Sequence, residues 1–288
     1  MKALTQEQVD FYKENGYIAV EDVLTEQEIA DLRRVTEEFV EKSRETTEHT
    51  DQFDLEPGHT PESPRLRRLK SPEKQHPVYD RTLRHEKVLD IVEDLVGPDI
   101  RTIGAKLNMK SAGFGSQVEW HQDWAFYPHT NDDILEVGIP LDDMTVENGA
   151  LMVIPGTHKG PVLSHHEDGV FVGAVPESEF NMEEAVPLEV KAGGITLHHV
   201  RALHGSGPNN SSRSRRLLLQ GYLAADAWPL MNTPDWETWN SNIVRGDITW
   251  RPRLEQVPVV LPLPKHEKTG SIYEIQSVMQ KSHYAGKK

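Results

Sequence analysis

The stretch IRTIGAKLNMK, residues 100–110, decides the fold because its apolar and polar side chains alternate. Every second residue from Ile103 to Met109 is apolar, while Lys106 and Asn108 lie on the other face. A period of two is typical of a β-strand, whose successive side chains point to opposite faces of the sheet. We therefore predict a half-buried strand here.

Short strand-like segments continue after residue 110 and are separated by turn signals such as ENG, PGTHKG, KAGG and GSGPNNSS. The candidate strands are residues 134–141, 149–154, 186–190, 195–199 and 216–224. Many short strands that follow one another, without helices among them, favour a β-sandwich or a β-barrel.

The first hundred residues are mainly helical in pattern. Thr5-Gln6-Glu7-Gln8 and Thr25-Glu26-Gln27-Glu28 are capping boxes that open helices, and an amphipathic helix ends at Gly97-Pro98. Residues 46–76 are polar and proline-rich, so we predict a loop that orders over a ligand. We expect one domain over residues 1–288: a helical buttress with this lid loop (1–99), a barrel core (100–225) and a packed C-terminal extension with a short terminal helix (226–288).

Composition excludes several classes of protein. The chain has 288 residues and no cysteine, so a metal must be held by nitrogen and oxygen atoms rather than by thiolates. The net charge of −15 argues against a nucleic-acid partner. The chain has no apolar run long enough to span a membrane and no secretory signal, so we expect a cytoplasmic protein that acts on a small molecule, as a monomer or homodimer.

The strongest chemical signal is Trp120-His121-Gln122-Asp123. In an extended segment, residues i and i+2 point to the same face, so His121 and Asp123 can reach one ion. Two histidines and one carboxylate hold iron on one face and leave adjacent coordination positions open. The missing third ligand has three candidates: His198, His199 and His204. His198 and His199 point to opposite faces, so at most one of them can join, and spacing alone does not choose among the three.

Several stretches resemble the phytanoyl-CoA dioxygenase family. They are VEWHQDWAFYP (118–128), ENGALMVIPGTHKG (147–160) and HGSGPNNSSRSRR (204–216), and YIAVEDVLTEQEIADLRR (17–34) is similar as well. The resemblance covers roughly residues 5–225. Several matching segments in the right order are far more specific than any one of them.

This resemblance implies a double-stranded β-helix (a jelly-roll, cupin-like barrel) buttressed by the N-terminal helices. It also implies a dioxygenase that uses Fe(II), 2-oxoglutarate and O₂, oxidises a small-molecule metabolite and releases succinate and CO₂. His121, Asp123 and His204 would be the catalytic metal ligands, because the family's distal ligand is the histidine of the HGSG turn. Related halogenases have a small residue in place of the carboxylate, so Asp123 favours hydroxylation over halogenation.

The resemblance also implies a co-substrate site. The family's arginine for the far carboxylate of 2-oxoglutarate lies eleven residues after the distal histidine, which gives Arg215. A guanidinium is the side chain best suited to bind a carboxylate in a bidentate way, and Arg213 and Arg216 are the competitors. Lys106 and Asn108 correspond to residues that line the co-substrate or substrate pocket, so we expect them to be cofactor-binding.

Two further expectations concern the walls of the pocket. Trp124, Phe126 and Tyr127 would lie at its mouth, and packing in the core is the preferred interpretation of all three. Some family members have a tryptophan eighteen residues after the first ligand, where this chain has Ile139. The alternative from another class is a non-oxidative, metal-bound, cupin-like isomerase or binding protein, which gives no reason for Arg215.

Overall fold

The alternating stretch forms a strand along its whole length, Ile100–Lys110, in the computed structural model, which describes residues 1–232, 234–259 and 270–285. Leu107 and Met109 are buried in the core as predicted. Ile103 is 37% exposed, against the prediction. The reason is a β-bulge: the neighbouring strand pairs with Gly104 and then with Thr102, which leaves Ile103 unpaired.

The described residues form fourteen strands and seven α-helices. The strands are β1 (Tyr17–Val20), β2 (Phe53–Leu55), β3 (Leu66–Lys70), β4 (Ile100–Lys110), β5 (Val118–His121), β6 (Ile134–Pro140), β7 (Leu151–Val153), β8 (His166–Glu167), β9 (Val170–Phe171), β10 (Val186–Pro187), β11 (Ile195–His199), β12 (His204–Ser206), β13 (Arg215–Ala224) and β14 (Ile243–Arg245). The helices are α1 (Gln6–Asn15), α2 (Glu26–Lys42), α3 (Pro72–Gln75), α4 (Pro77–Leu83), α5 (Glu86–Val96), α6 (Trp236–Ser241) and α7 (Ile272–Gln276).

Two antiparallel sheets face each other. The larger has the order β1-β11-β6-β13-β4-β3-β2, with β14 on β4, and the smaller has the order β10-β7-β12-β5. Between β4 and β13 the chain crosses repeatedly from one sheet to the other. Eight strands are wound in this way, with β11-β6-β13-β4 facing β10-β7-β12-β5. This winding is the double-stranded β-helix, so the predicted jelly-roll fold is confirmed.

The N-terminal helices cover the outer face of the larger sheet. α1 and α2 begin at the predicted capping boxes, in which Thr5 and Thr25 accept hydrogen bonds from the backbone. Apolar side chains of α2 such as Leu32 and Val35 pack into one buried cluster with sheet residues such as Val137. Each such side chain stabilises the fold by about 1.5–3 kcal/mol. This packing leaves the inner face of the sheet for the site.

The prediction of a loop over residues 46–76 was wrong in three segments, which form β2, β3 and the short helix α3. β2 and β3 lie there and extend the larger sheet beyond β4. The charged sequence LRRLK does not look like a strand in an apolar core. In the structure, Leu66 and Leu69 point into the core, while Arg68 points toward the space between the sheets. The predicted strands at 149–154 and 186–190 are shorter than expected, and the predicted terminal helix is α7. Residues 233, 260–269 and 286–288 of the predicted C-terminal extension lie outside the described residues.

No helix among residues 1–232, 234–259 and 270–285 combines the length and the apolar character needed to cross a lipid bilayer.

Candidate active site

Two neighbouring strands of the smaller sheet bring the predicted metal ligands together. His121 ends β5, His204 begins β12, and the two are directly paired across the strands. Gln122 has extended dihedral angles (φ −116°, ψ 124°), so Asp123 points to the same side as His121. One potential ligand atom from each of the three lies within 4.8 Å of the others, and all three side chains are buried.

Both imidazoles direct their Nε2 atom toward the Asp123 carboxylate. His121 Nδ1 lies 2.7 Å from the Glu119 carbonyl oxygen, and His204 Nδ1 lies 2.9 Å from the Ala202 carbonyl oxygen. Because a carbonyl only accepts, each Nδ1 must carry the proton and donate, which leaves the Nε2 lone pair free for a metal. Burial lowers the pKa of His121 and, with the charge of its histidine neighbours, holds that of His204 well below its usual range. These shifts favour the neutral ring, which is the form that binds a metal.

Asp123 supplies the negative charge. Its Oδ1 lies 3.7 Å from His121 Nε2, and its Oδ2 lies 3.8 Å from His204 Nε2. Burial works against ionisation, but nearby His204, His198 and Lys106 outweigh it and hold the pKa of Asp123 well below its usual range. Oδ2 is buried without a hydrogen-bond partner among the described residues. A buried carboxylate oxygen in this state is costly, and a divalent cation would satisfy it, so the three residues fit Fe(II).

His198 lies beside the cluster without belonging to it. Its Nε2 is 3.4 Å from Asp123 Oδ2, yet its nitrogens fall outside the group of mutually close ligand atoms. The ring is 2% exposed, and neither nitrogen has a hydrogen-bond partner among the described residues. His198 is therefore placed to orient the Asp123 carboxylate, and it is no longer a candidate ligand. His199 points elsewhere, with its Nε2 4.0 Å from Asp132.

We expect His198→Phe to weaken Fe(II) binding by about 10- to 100-fold, the usual effect of losing a group that orients a metal ligand. Phenylalanine keeps a ring of similar shape but cannot donate to Asp123. Anaerobic Fe(II) titration measures the effect, with His199→Phe as the matched control from the same strand. If the two variants bind iron equally well, His198 does not position the carboxylate.

Two buried basic side chains lie next to each other in the barrel, and one of them, Arg215, lines the same cavity. Arg215 on β13 is paired across the strands with Lys110 on β4, and both side chains are almost fully buried. Arg215 Nη2 donates to the Gly149 carbonyl oxygen at 2.8 Å, and Lys110 Nζ donates to Ser206 Oγ at 2.8 Å and to the carbonyl oxygen of Gly207. Burial lowers the pKa of Arg215 to about 10. Burial, reinforced by Arg215, holds the pKa of Lys110 well below its usual range.

Arg215 fits a carboxylate that comes from a ligand, because it lines the cavity. The hydrogen-bond acceptors of Arg215 and Lys110 are uncharged oxygens, and Arg215 Nε is buried without any partner among the described residues. An uncompensated buried charge is unfavourable, and a bidentate carboxylate would remove that cost. Sequence reasoning missed Lys110, although it continues the polar face of Lys106 and Asn108.

Gly149 lets the turn after β12 approach Arg215 closely. Its φ of 82° lies in the left-handed region, and a Cβ there would come within 2.7 Å of the Gly207 carbonyl oxygen. A side chain at this position would push the HGSG turn away from Lys110. The glycine of the ENGALMVI stretch therefore serves the co-substrate end of the cavity directly.

One cavity of about 300 Å³ joins the metal cluster to Arg215. Lys106 and Asn108 line it, as the sequence predicted. Of the three aromatic residues, Trp124 is in the core, whereas Phe126 and Tyr127 pack against buried clusters and also line the cavity. After β5 the chain forms a short 3-10 helix, Asp123–Ala125, and the Phe126 ring that follows it lies 5.9 Å from the His121 ring. Ile139 packs on the helical side of the sheet instead.

The C-terminal extension forms one wall of this cavity. Ile272, Tyr273 and Ile275 of α7 face the space between the sheets. Gln276 anchors the helix, since its amide accepts from Glu119 N at 3.0 Å and donates to Glu119 O at 3.2 Å. A five-residue helix carries too little periodicity to reveal such a contact.

Three charged groups occupy the end of the cavity away from Arg215. Lys106 Nζ lies 3.6 Å from Glu136 Oε1, and the Tyr127 hydroxyl donates to the same oxygen at 3.4 Å. Arg68 lines the cavity from β3, and its Nε has no hydrogen-bond partner among the described residues. Sequence reasoning missed Glu136 and Arg68. An acidic residue in the middle of the apolar strand ILEVGIP was the available signal for the first.

Comparison with known proteins agrees with this geometry. The family model described as phytanoyl-CoA dioxygenase matches residues 12–217. The chain belongs to the phytanoyl-CoA dioxygenase family. It is 39% identical over 290 residues, covering 96% of this chain and 99% of the relative, to a probable alpha-ketoglutarate-dependent hypophosphite dioxygenase of Stutzerimonas stutzeri.

Solved structures agree as well. One is the non-heme alpha ketoglutarate dependent carbocyclase SnoK from nogalamycin biosynthesis, which is 25% identical with a TM-score of 0.64 and covers 85% of this chain and 93% of that one. EctD from S. alaskensis with bound Fe is 23% identical with a TM-score of 0.68, covers 90% of this chain and 89% of that one, and shares the fold. This family member is therefore an Fe(II)- and 2-oxoglutarate-dependent dioxygenase, and these relatives give no support to the alternative of a non-oxidative isomerase or binding protein.

Proposed function

We propose that this dioxygenase oxidises a small oxyanion with a reduced phosphorus centre, and that hypophosphite is the first substrate to test. The observation that carries the proposal is the pair of cations, Arg68 and Lys106, which line both this cavity and a neighbouring pocket, whereas Arg215 and the metal ligands line the cavity alone. The relative that is 39% identical is named for hypophosphite and supports the same class of substrate.

The proposal assigns a role to each predicted site residue. His121, Asp123 and His204 hold Fe(II), and Arg215 binds the far carboxylate of 2-oxoglutarate. When bound, the iron and 2-oxoglutarate activate O₂ for transfer of one oxygen atom to the substrate. Asp123 keeps the outcome at hydroxylation.

Position along β4 divides the remaining polar residues between co-substrate and substrate. Lys110 is paired with Arg215, and Lys106 lies about 13 Å further along the strand at 3.3 Å per residue. Asn108 lies midway between them, and it lines the cavity but not the neighbouring pocket that Lys106 also lines, so we assign it to the side of 2-oxoglutarate; its Oδ1 is buried without a partner among the described residues. Lys106 belongs with the substrate, a more specific role than the cofactor-binding one predicted from sequence.

The size of the cavity favours a small substrate. Its volume of about 300 Å³ has to accommodate 2-oxoglutarate as well as the substrate, and drug-sized ligands occupy pockets of about 300–1,000 Å³ by themselves. The cavity shares Arg68, Lys106 and Glu136 with a neighbouring pocket of about 510 Å³, and this charged lining favours a small anion over a polycyclic or acyl group. A small inorganic or organic oxyanion does fit.

The test is oxidation of hypophosphite by the anaerobically iron-loaded enzyme after addition of 2-oxoglutarate and O₂. We expect equal amounts of phosphite and succinate, followed by ³¹P nuclear magnetic resonance and by a succinate assay. Arg68→Met should raise the KM for hypophosphite while leaving the KM for 2-oxoglutarate unchanged. Succinate formation that hypophosphite does not stimulate would contradict the proposed substrate.

The cytoplasmic location and the monomeric or homodimeric state stay predictions from the sequence. Light scattering after size-exclusion chromatography measures the second.

A further inference from the structure

Glu136 is an unusual residue for a cavity that binds an anion. Its side chain lies on β6 and is 4% exposed, inside the cavity that holds the metal ligands. Its Oε1 meets Lys106 and Tyr127, while its Oε2 is buried without a hydrogen-bond partner among the described residues. Among the described residues, Glu136 does not belong to the cluster of His121, Asp123 and His204 that could bind the metal. A purely structural ion pair would leave no oxygen unpaired in a space that a ligand has to enter.

The charges around the substrate end of the cavity give Glu136 a role. Burial raises the pKa of Glu136, but Lys106 at 3.6 Å opposes this effect and favours the carboxylate. With Arg68 and Lys106 positive and Glu136 negative, the three leave one net positive charge facing the substrate. Without Glu136 there would be two. At such short range and with little water, one additional charge changes the binding of an anion substantially.

We infer that Glu136 makes the cavity select an anion with one negative charge and disfavour an anion with two. This inference rests on the proposed function. Hypophosphite carries one negative charge and two P–H bonds. Transfer of one oxygen atom from O₂ into a P–H bond gives hydrogen phosphite, as 2-oxoglutarate takes the other oxygen atom and becomes succinate and CO₂. The product then loses a second proton to water near neutral pH and becomes a dianion.

Substrate and product therefore differ in charge, and the negative charge of Glu136 acts differently on the two. Phosphorus is oxidised by two electrons, and the new hydroxyl supplies the proton that leaves. The Glu136 carboxylate repels the resulting dianion more strongly than it repels the incoming monoanion. Glu136 thereby limits inhibition by the product.

The test compares the binding of hypophosphite and phosphite to the anaerobic enzyme loaded with Fe(II) and 2-oxoglutarate, by isothermal titration calorimetry at mildly alkaline pH. The parent enzyme should bind hypophosphite more tightly than phosphite. In Glu136→Gln, which keeps the shape but not the charge, the ratio of the two Kd values should shift toward phosphite by about 10- to 100-fold. Glu179→Gln is the matched control, because it removes the same charge from an exposed position outside the cavity.

An unchanged ratio in Glu136→Gln would overturn the inference, as would an equal shift in Glu179→Gln. Glu136→Asp retains the charge and should keep the discrimination, so it replaces Glu136→Gln as the informative variant if the latter does not fold. The two proposals fail differently. If hypophosphite is not oxidised but the ratio still shifts, the proposed substrate is wrong and the selection by charge stands.

Discussion

Asp123→Ala should eliminate Fe(II) binding and lower the rate of succinate formation by more than about a thousandfold, since a catalytic metal contributes several kcal/mol to its reaction. The side chain is buried between His121 and His204 and provides the only charge of the cluster. Without it, two neutral imidazoles remain, which bind Fe(II) weakly. Iron content after anaerobic dialysis and succinate release measure the two effects.

The matched control for this variant is His199→Ala. His199 was one of three candidate ligands in the sequence, and it lies on β11 next to His198 but points away from the cluster. It should retain iron. Normal iron content in Asp123→Ala, or an equal loss in His199→Ala, would show that the metal is bound elsewhere.

Arg215→Met should raise the KM for 2-oxoglutarate on the order of 100-fold or more, the effect of deleting one partner of a buried charge pair. The kcat at saturating 2-oxoglutarate should change much less, because Arg215 lies at the far end of the cavity from the metal. Arg215→Lys, which keeps the charge but not the planar fork, should have an intermediate effect. Steady-state kinetics with varied 2-oxoglutarate distinguish these outcomes.

The stability of the apo-protein gives this prediction a second measurement. Arg215 is buried and has no charged hydrogen-bond partner among the described residues, so Arg215→Met should leave the Tm of the apo-protein unchanged or higher. Stabilisation by added 2-oxoglutarate should be lost. Arg213→Met is the control, because Arg213 is exposed and two residues away. A large drop in the apo-protein Tm of Arg215→Met alone would assign Arg215 to the fold rather than to the co-substrate.

Local patterns in the sequence predicted the parts of this site that local geometry determines. Alternation over residues 105–110 placed Lys106 and Asn108 on the cavity face, and the spacing of His121 and Asp123 put both on one side of an extended segment. The third ligand depended on the pairing of β12 with β5, which no local pattern encodes. There the family resemblance, rather than the spacing, selected His204.

The parts that were missed depend on contacts distant in sequence. Arg68 lies on β3, whose charged residues favoured the prediction of a loop. The helix α7 contributes to the cavity from the C-terminal part of the chain. Glu136 was visible as an acidic residue within an apolar strand. Its role depends on the tertiary structure, because β4 and β6 bring Lys106 and Glu136 together in one cavity. The same holds for Lys110, whose partner Arg215 is on β13.

The most direct test of the account is a crystal structure of the enzyme prepared anaerobically with Fe(II) and 2-oxoglutarate. We predict iron bonded to Nε2 of His121, to Nε2 of His204 and to one oxygen of Asp123, with the far carboxylate of 2-oxoglutarate on Arg215. The His198 ring should donate to the other oxygen of Asp123. Iron that lacks a bond to His121, Asp123 or His204, or 2-oxoglutarate whose far carboxylate does not contact Arg215, would contradict these assignments.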